Sequence, residues 1–133
     1  MSAFNFLSND VTRNQVSQSY YTVTGDISEA NLGNDHNVAV DGLTIGIPLI
    51  TSGNLGCTIF FRNTGGDANN IVSISPKNTN KIIGGMTQAA AVFHASGVLG
   101  KDLQNTKATS KTGDWVAIRA VSLTEWYIIG GQG

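Results

Sequence analysis

With 133 residues the chain is long enough for one hydrophobic core and too short for two. Charged residues make up only 13%, against about 25% in an ordinary soluble domain, and eight basic against nine acidic residues leave a net charge of −1. That balance excludes a basic footprint for nucleic acid or an anionic membrane; no apolar run approaches the ~20 residues of a membrane span, and no basic-then-apolar leader directs export. Solubility falls to Asn, Ser, Thr and 16 glycines, a composition of short strands and many turns.

Residues 1–18 (MSAFNFLSNDVTRNQVSQ) are polar except for Phe4, Phe6 and Leu7. They read as an extended arm whose apolar cluster either staples onto its own core or docks on a neighbour. Residues 19–133 read as a single β-domain. In it, residues 20–24 (YYTVT) are β-branched and aromatic and end at Gly25-Asp26. Residues 27–33 (ISEANLG) fit one helical turn capped by Asp26. Residues 37–40 and 43–50 follow as strands, with Asp41-Gly42 between them supplying a tight hairpin turn. Leu43, Ile45, Ile47 and Leu49 alternate with Thr44, Gly46 and Pro48, which makes one face apolar, and Pro48 demotes the end of that strand to an edge.

Residues 56–62 (GCTIFFR) are apolar on both faces, the pattern of a central strand. Residues 63–70 (NTGGDANN) are a turn, and 71–75 return as a partner strand closed by Pro76. Residues 81–85 (KIIGG) are a short strand stopped by two glycines, and 90–95 (AAVFHA) resume an extended run. After a loop over 97–112, two apolar runs at 115–121 and 125–129 close the chain as a hairpin. No internal repeat points to a solenoid. The expected fold is all-β: a single compact antiparallel sandwich or barrel-like domain of about eight or nine short strands with an N-terminal arm.

Groups suited to catalysis are few. His36 sits in the turn-like NDHN and His94 in an apolar run, where a lone histidine is more often a core or surface residue than a catalyst. Cys57 is the only cysteine, closes no disulfide within the chain, belongs to no spaced metal cluster and reads as a small buried hydrophobe. Asp26, Glu29, Asp35 and Asp41 lack the alternating spacing of a calcium loop and read as turn residues. The glycine pairs Gly65-Gly66, Gly84-Gly85 and Gly130-Gly131 lack the arrangement that cradles phosphates. No catalytic residue, cofactor or metal is expected.

The aromatics Trp115, Trp126 and Tyr127 have two readings. They lock the closing hairpin through cross-strand pairs worth about 0.2–1 kcal/mol each, or they stack on a sugar beside Asn-rich loops. Trp115, Ala117, Arg119 and Val121 alternate with Val116, Ile118 and Ala120, so both faces of this run are largely apolar. One face then packs on the core and the other on a sister subunit, where Arg119 finds a partner or reaches solvent. Trp115, Arg119, Trp126 and Tyr127 are the expected subunit contact.

The order GCTIFFRNTGG, Asn-rich turn, IVSISP, KIIGG and GDWVAIRAVSLTEWYIIGG, spanning residues 56–133, resembles virion proteins of tailed bacteriophages, both capsid decoration (cement or head-fibre) proteins and the trimeric β-domains of tail fibres and spikes. The resemblance implies a structural or adhesive protein, commonly a homotrimer and not an enzyme. A small chain starting at Met1, without shaft sequence before it, points to the decoration role. Its expected partners are the major capsid protein, reached through Phe4, Phe6 and Leu7, and two further copies of itself, with neither nucleic acid nor membrane. Its expected place is the capsid surface of the virion, after synthesis in the bacterial cytoplasm. The alternative is a tail-fibre or spike receptor-binding domain that takes a host glycan. Residues 1–50 carry no part of this resemblance.

Overall fold

The computed structural model of the chain describes residues 15–88 and 91–133. Phe4, Phe6 and Leu7 lie outside the described residues. The strands in chain order are β1 (Gln18–Tyr21), β2 (Gly25–Asp26), β3 (Asp35–Val38), β4 (Leu43–Gly46), β5 (Thr58–Asn63), β6 (Val72–Ser75), β7 (Lys81–Gln88), β8 (Ala91–Ser96), β9 (Leu103–Gln104), β10 (Trp115–Ser122) and β11 (Glu125–Gln132). They build a seven-stranded sheet, β1-β3-β5-β10-β11-β7-β8, and a four-stranded one, β2-β4-β6-β9. Between the sheets Ile59, Phe61, Val116, Ile118 and Trp126 meet Ile45, Ile74 and Leu103 in one core.

The domain is all-β as read, with eleven strands among the described residues instead of eight or nine, but its sheets are mixed where an antiparallel sandwich was expected. β1, β3 and β5 are parallel neighbours in one sheet, and β2, β4 and β6 are parallel neighbours in the other. The first half of the domain therefore winds as three stacked coils, each giving one strand to each sheet. Asp35 lies opposite Gln18 and Phe60 opposite Asp35, steps of 17 and 25 residues, and this inequality hides the repeat from a search for a fixed period. Asp41-Gly42 is accordingly a corner between sheets and not a hairpin. Gly42 takes the positive φ of 83° that such a turn demands, while Asp41 accepts from the Ile71 N–H at 2.8 Å and ties the corner to the next coil.

Two further expectations are corrected by local chemistry. The expected helical turn is a short 3-10 turn at Glu29–Asn31 whose N-cap is Ser28 and not Asp26, with no side-chain cap bond; Asp26 lies in β2 and bridges to Lys77 at 3.1 Å. Residues 47–50 leave the strand, since Pro48 has no N–H for the ladder; Ile50 then turns inward, donating its N–H to Asn80 Oδ1 at 3.0 Å, while Leu49 faces solvent. The glycines at 84 and 85 do not stop their strand either. Gly84, at φ 122°, lets the chain pass with Ile128 backbone atoms 3.2 Å from where a Cβ would stand, and β7 runs on to Gln88.

Much of the amide content is inside the fold. Asn54, Asn63, Asn70 and Asn80 are buried and satisfy the backbone where the chain turns corners. Asn70 Nδ2 donates to the Val38 carbonyl (3.1 Å) and to Asn63 Oδ1 (2.6 Å), and Asn63 Nδ2 donates to the Lys111 carbonyl at 3.0 Å. Asn80 Nδ2 donates to the Leu123 carbonyl at 3.2 Å, joining the end of the sixth strand's loop to the closing hairpin.

Candidate interaction surface

β5, β10 and β11 lie in the middle of the larger sheet, and alternation decides which side chains face away from its partner. On β10, Val116, Ile118 and Ala120 point into the core, while Trp115, Arg119 and Val121 point out. On β11, Trp126 and Ile128 point in, and Tyr127 and Ile129 point out. The outward set is an exposed apolar face: Trp115 is 37% exposed, Tyr127 38%, Ile129 46% and Val121 52%. A register shift between Ala117 and Ile118 gives β11 an extra residue, Ile129, opposite no residue of β10.

Neighbouring strands extend this face. Phe60 of β5 stacks on Trp115, with ring centroids 5.6 Å apart and planes at 17°, and the Arg62 guanidinium lies 4.9 Å above Phe60. Arg62 donates to Asn37 Oδ1 at 3.0 Å and to Asp35 Oδ2 at 3.4 Å, and Gln18 Nε2 donates to the same carboxylate at 3.1 Å. Trp115 also covers Gly130, where a Cβ would come within 2.8 Å of the indole. Arg119 donates from Nε to Thr58 Oγ1 at 2.9 Å and has no acidic partner among the described residues.

Three of the four expected contact residues thus share one exposed face, and the fourth does not. Trp126 is fully buried against Ala120 and Ile82 in its own chain, so it is a core residue and not part of a subunit contact. Sequence reasoning missed Phe60, Arg62, Asp35 and Asn37. The signal for the first two was present, because period-2 alternation in GCTIFFR puts Thr58, Phe60 and Arg62 on one side. Asp35 and Asn37 join them only through the parallel pairing of β3 with β5.

The titratable groups are dispersed. His36 is not in a turn but on the inward face of β3, fully buried, whereas His94 is exposed on β8, five strand positions away and therefore ~24 Å apart at ~4.8 Å per strand. Cys57 is half-buried, and burial together with the nearby Glu29 pushes its thiol up, away from the thiolate a nucleophile needs. Among the described residues no group of three or more His, Cys, Asp or Glu converges as around a metal. The openings among the described residues include an apolar slot of about 50 Å³ between the sheets beside Met86, Leu103 and Val116, a polar groove of about 230 Å³ over Asp26, Thr44, Ser75 and Lys77, and a recess of about 70 Å³ beside His94, Lys101 and Asp102. No helix among the described residues is long and apolar enough to cross a membrane. No protein-family model and no curated protein matches the chain.

Proposed function

We propose that the chain is a structural protein of a tailed-bacteriophage virion, a capsid decoration protein that binds the outside of the assembled head as a homotrimer. The observation that carries the reading is the outward face of β10 and β11, where Trp115, Val121, Tyr127 and Ile129 stand exposed on strands held rigidly in mid-sheet. Large apolar side chains exposed together around an arginine on one sheet face mark a contact surface, and Trp, Tyr and Arg are the side chains that dominate such contacts. The resemblance of residues 56–133 to virion β-domains supports the same reading. Three copies then bind the shell together, for a gain of about 10²–10⁴ over one contact, and Phe4, Phe6 and Leu7 reach for the major capsid protein.

The test is a pair of charges on the face. Tyr127→Asp with Ile129→Asp is expected to keep the β-sheet circular dichroism, to reduce the assembly to single chains, and to lower retention on purified shells in co-sedimentation by at least about tenfold. Unchanged mass and retention contradict the reading.

A second reading, a glycan-binding tail-fibre or spike domain, is favoured by one observation: the half-exposed Trp115 stacked on Phe60 beside Arg62, Asp35 and Asn37. A glycan retained by the native chain and lost in Trp115→Ala, with the mass unchanged, would establish that reading.

A further inference from the structure

His36 occupies an unusual position for a titratable group. It is fully buried in β3, and its ring lies between Tyr21 of β1 and Phe61 of β5, with centroids 5.7 Å and 5.6 Å away. Its Nδ1 shares a hydrogen bond of 2.6 Å with the Tyr21 hydroxyl, and its Nε2 has no hydrogen-bond partner among the described residues. In the neutral imidazole Nδ1 accepts from or donates to the Tyr21 hydroxyl and Nε2 is an uncharged buried atom in either tautomer, whereas an imidazolium must donate from both nitrogens and carries its charge into the core. Nδ1–H could still face Tyr21 if the hydroxyl turned away, but the charge would be buried in the core, with only the Asn31 and Leu32 backbone and Asp35 to offset its desolvation.

Each element packed on the ring bears on its charge. Tyr21 offers only a neutral hydroxyl, because burial raises its pKa, and Phe61 offers nothing polar. The backbone of Asn31 and Leu32 and the neighbouring Asp35 favour the charged form. The Asp35 carboxylate is already engaged by Arg62 and Gln18. Burial outweighs these and holds His36 below the usual histidine value.

The strand that covers His36 is also weakly held. β1 is the edge of its sheet, four residues long, and pairs only with β3 among the described residues. Tyr21 is its inward anchor. Edge segments of this size open locally at a cost far below that of global unfolding.

We propose that the Tyr21–His36 pair is an acid-sensitive latch: protonation of His36 releases β1 while the rest of the sheet stays paired. The sign follows from linkage. The opened state exposes His36 and restores its ordinary affinity for protons, so it binds more protons than the closed state at mildly acid pH. The closed state is fully favoured above about pH 6.5 and loses ground as the pH falls toward the lowered value of the buried ring.

The experiment is amide hydrogen exchange by NMR on the full chain between about pH 7.5 and pH 5, expressed as protection factors. The reporters are the β1 amides and the Asp35 N–H, which donates to the Ser17 carbonyl at 3.0 Å. Their protection is expected to fall by up to about tenfold per pH unit below about pH 6.5, with β5 and β10 amides unchanged. His36→Gln should give the same protection at every pH, and Tyr21→Phe should lower protection throughout yet keep the pH slope. If His36→Gln fails to fold, the native protein decides alone, because the His36 ring resonance must titrate in step with loss of the Asp35 N–H. An equal slope in His36→Gln, a ring titration unconnected with β1, or β5 and β10 opening together with β1, overturns the latch.

Discussion

Trp126→Ala is expected to cost about 3–5 kcal/mol of stability, a large share of the ~5–15 kcal/mol that holds a domain of this size. The indole is fully buried on β11, beside Ala120 of β10 and Ile82 of β7, whose places are fixed by their own strand pairing, so they cannot collapse into the space it leaves. Its Nε1–H has no hydrogen-bond partner among the described residues, so the native residue already carries a desolvation cost. Trp126→Phe removes that orphan donor together with part of the volume, and its cost should be less than half that of the alanine variant. Denaturant unfolding followed by circular dichroism measures both. A loss below about 1 kcal/mol for Trp126→Ala would mean that the hairpin is not part of the core.

The second large effect concerns an amide. Asn70 donates to two acceptors, the Val38 carbonyl and Asn63 Oδ1, and is almost wholly buried. Asn70→Ala removes one of two donors from each, the Val38 carbonyl keeping the Thr64 N–H and Asn63 Oδ1 the Gly65 N–H, and is expected to cost about 1–3 kcal/mol. Asn70→Asp keeps the shape but replaces a donor by a buried carboxylate facing two acceptors, so at neutral pH it should cost more than alanine does. Because burial and the two facing acceptors raise the new carboxyl's pKa, the aspartate variant should recover stability as the pH falls and the group takes up the proton it can then donate. Unfolding midpoints of the three proteins at neutral and acid pH test this, and an aspartate variant no less stable than the alanine one contradicts it.

These two residues also show what was legible in the sequence. Trp126 stands in an alternating run whose inward and outward positions can be counted, and the strands at 56–62, 115–121 and 125–129 were readable for that reason. Alternation gives two faces without saying which meets the core. Trp126 and Tyr127 therefore looked equally available for a subunit contact, and only the second is exposed. Asn70 lies in NTGGDANN, where local rules give a turn; they do not show that its amide bonds a residue 32 positions earlier. The parallel coils were hidden for the same kind of reason. Asp41-Gly42 has the chemistry of a hairpin turn, and its use as a corner between sheets depends on β3 finding β1 and β5 as neighbours, a long-range pairing that no local pattern encodes.

The candidate surface divides along the same line. Trp115, Arg119 and Tyr127 were placed together from one hairpin, whereas the Arg62, Asp35 and Asn37 network around Trp115 needs the register between three strands. That register makes the upper part of the face polar and aromatic and leaves Val121, Tyr127 and Ile129 as its apolar part. The proposed assembly through this face depends on those three side chains being covered in solution.

Molecular mass in solution by light scattering tests that dependence most directly. The account predicts about 42 kDa, three times the 14.0 kDa of one chain, with Tyr127→Asp and Ile129→Asp together returning it to 14.0 kDa. A native protein that stays at 14.0 kDa across concentrations contradicts it.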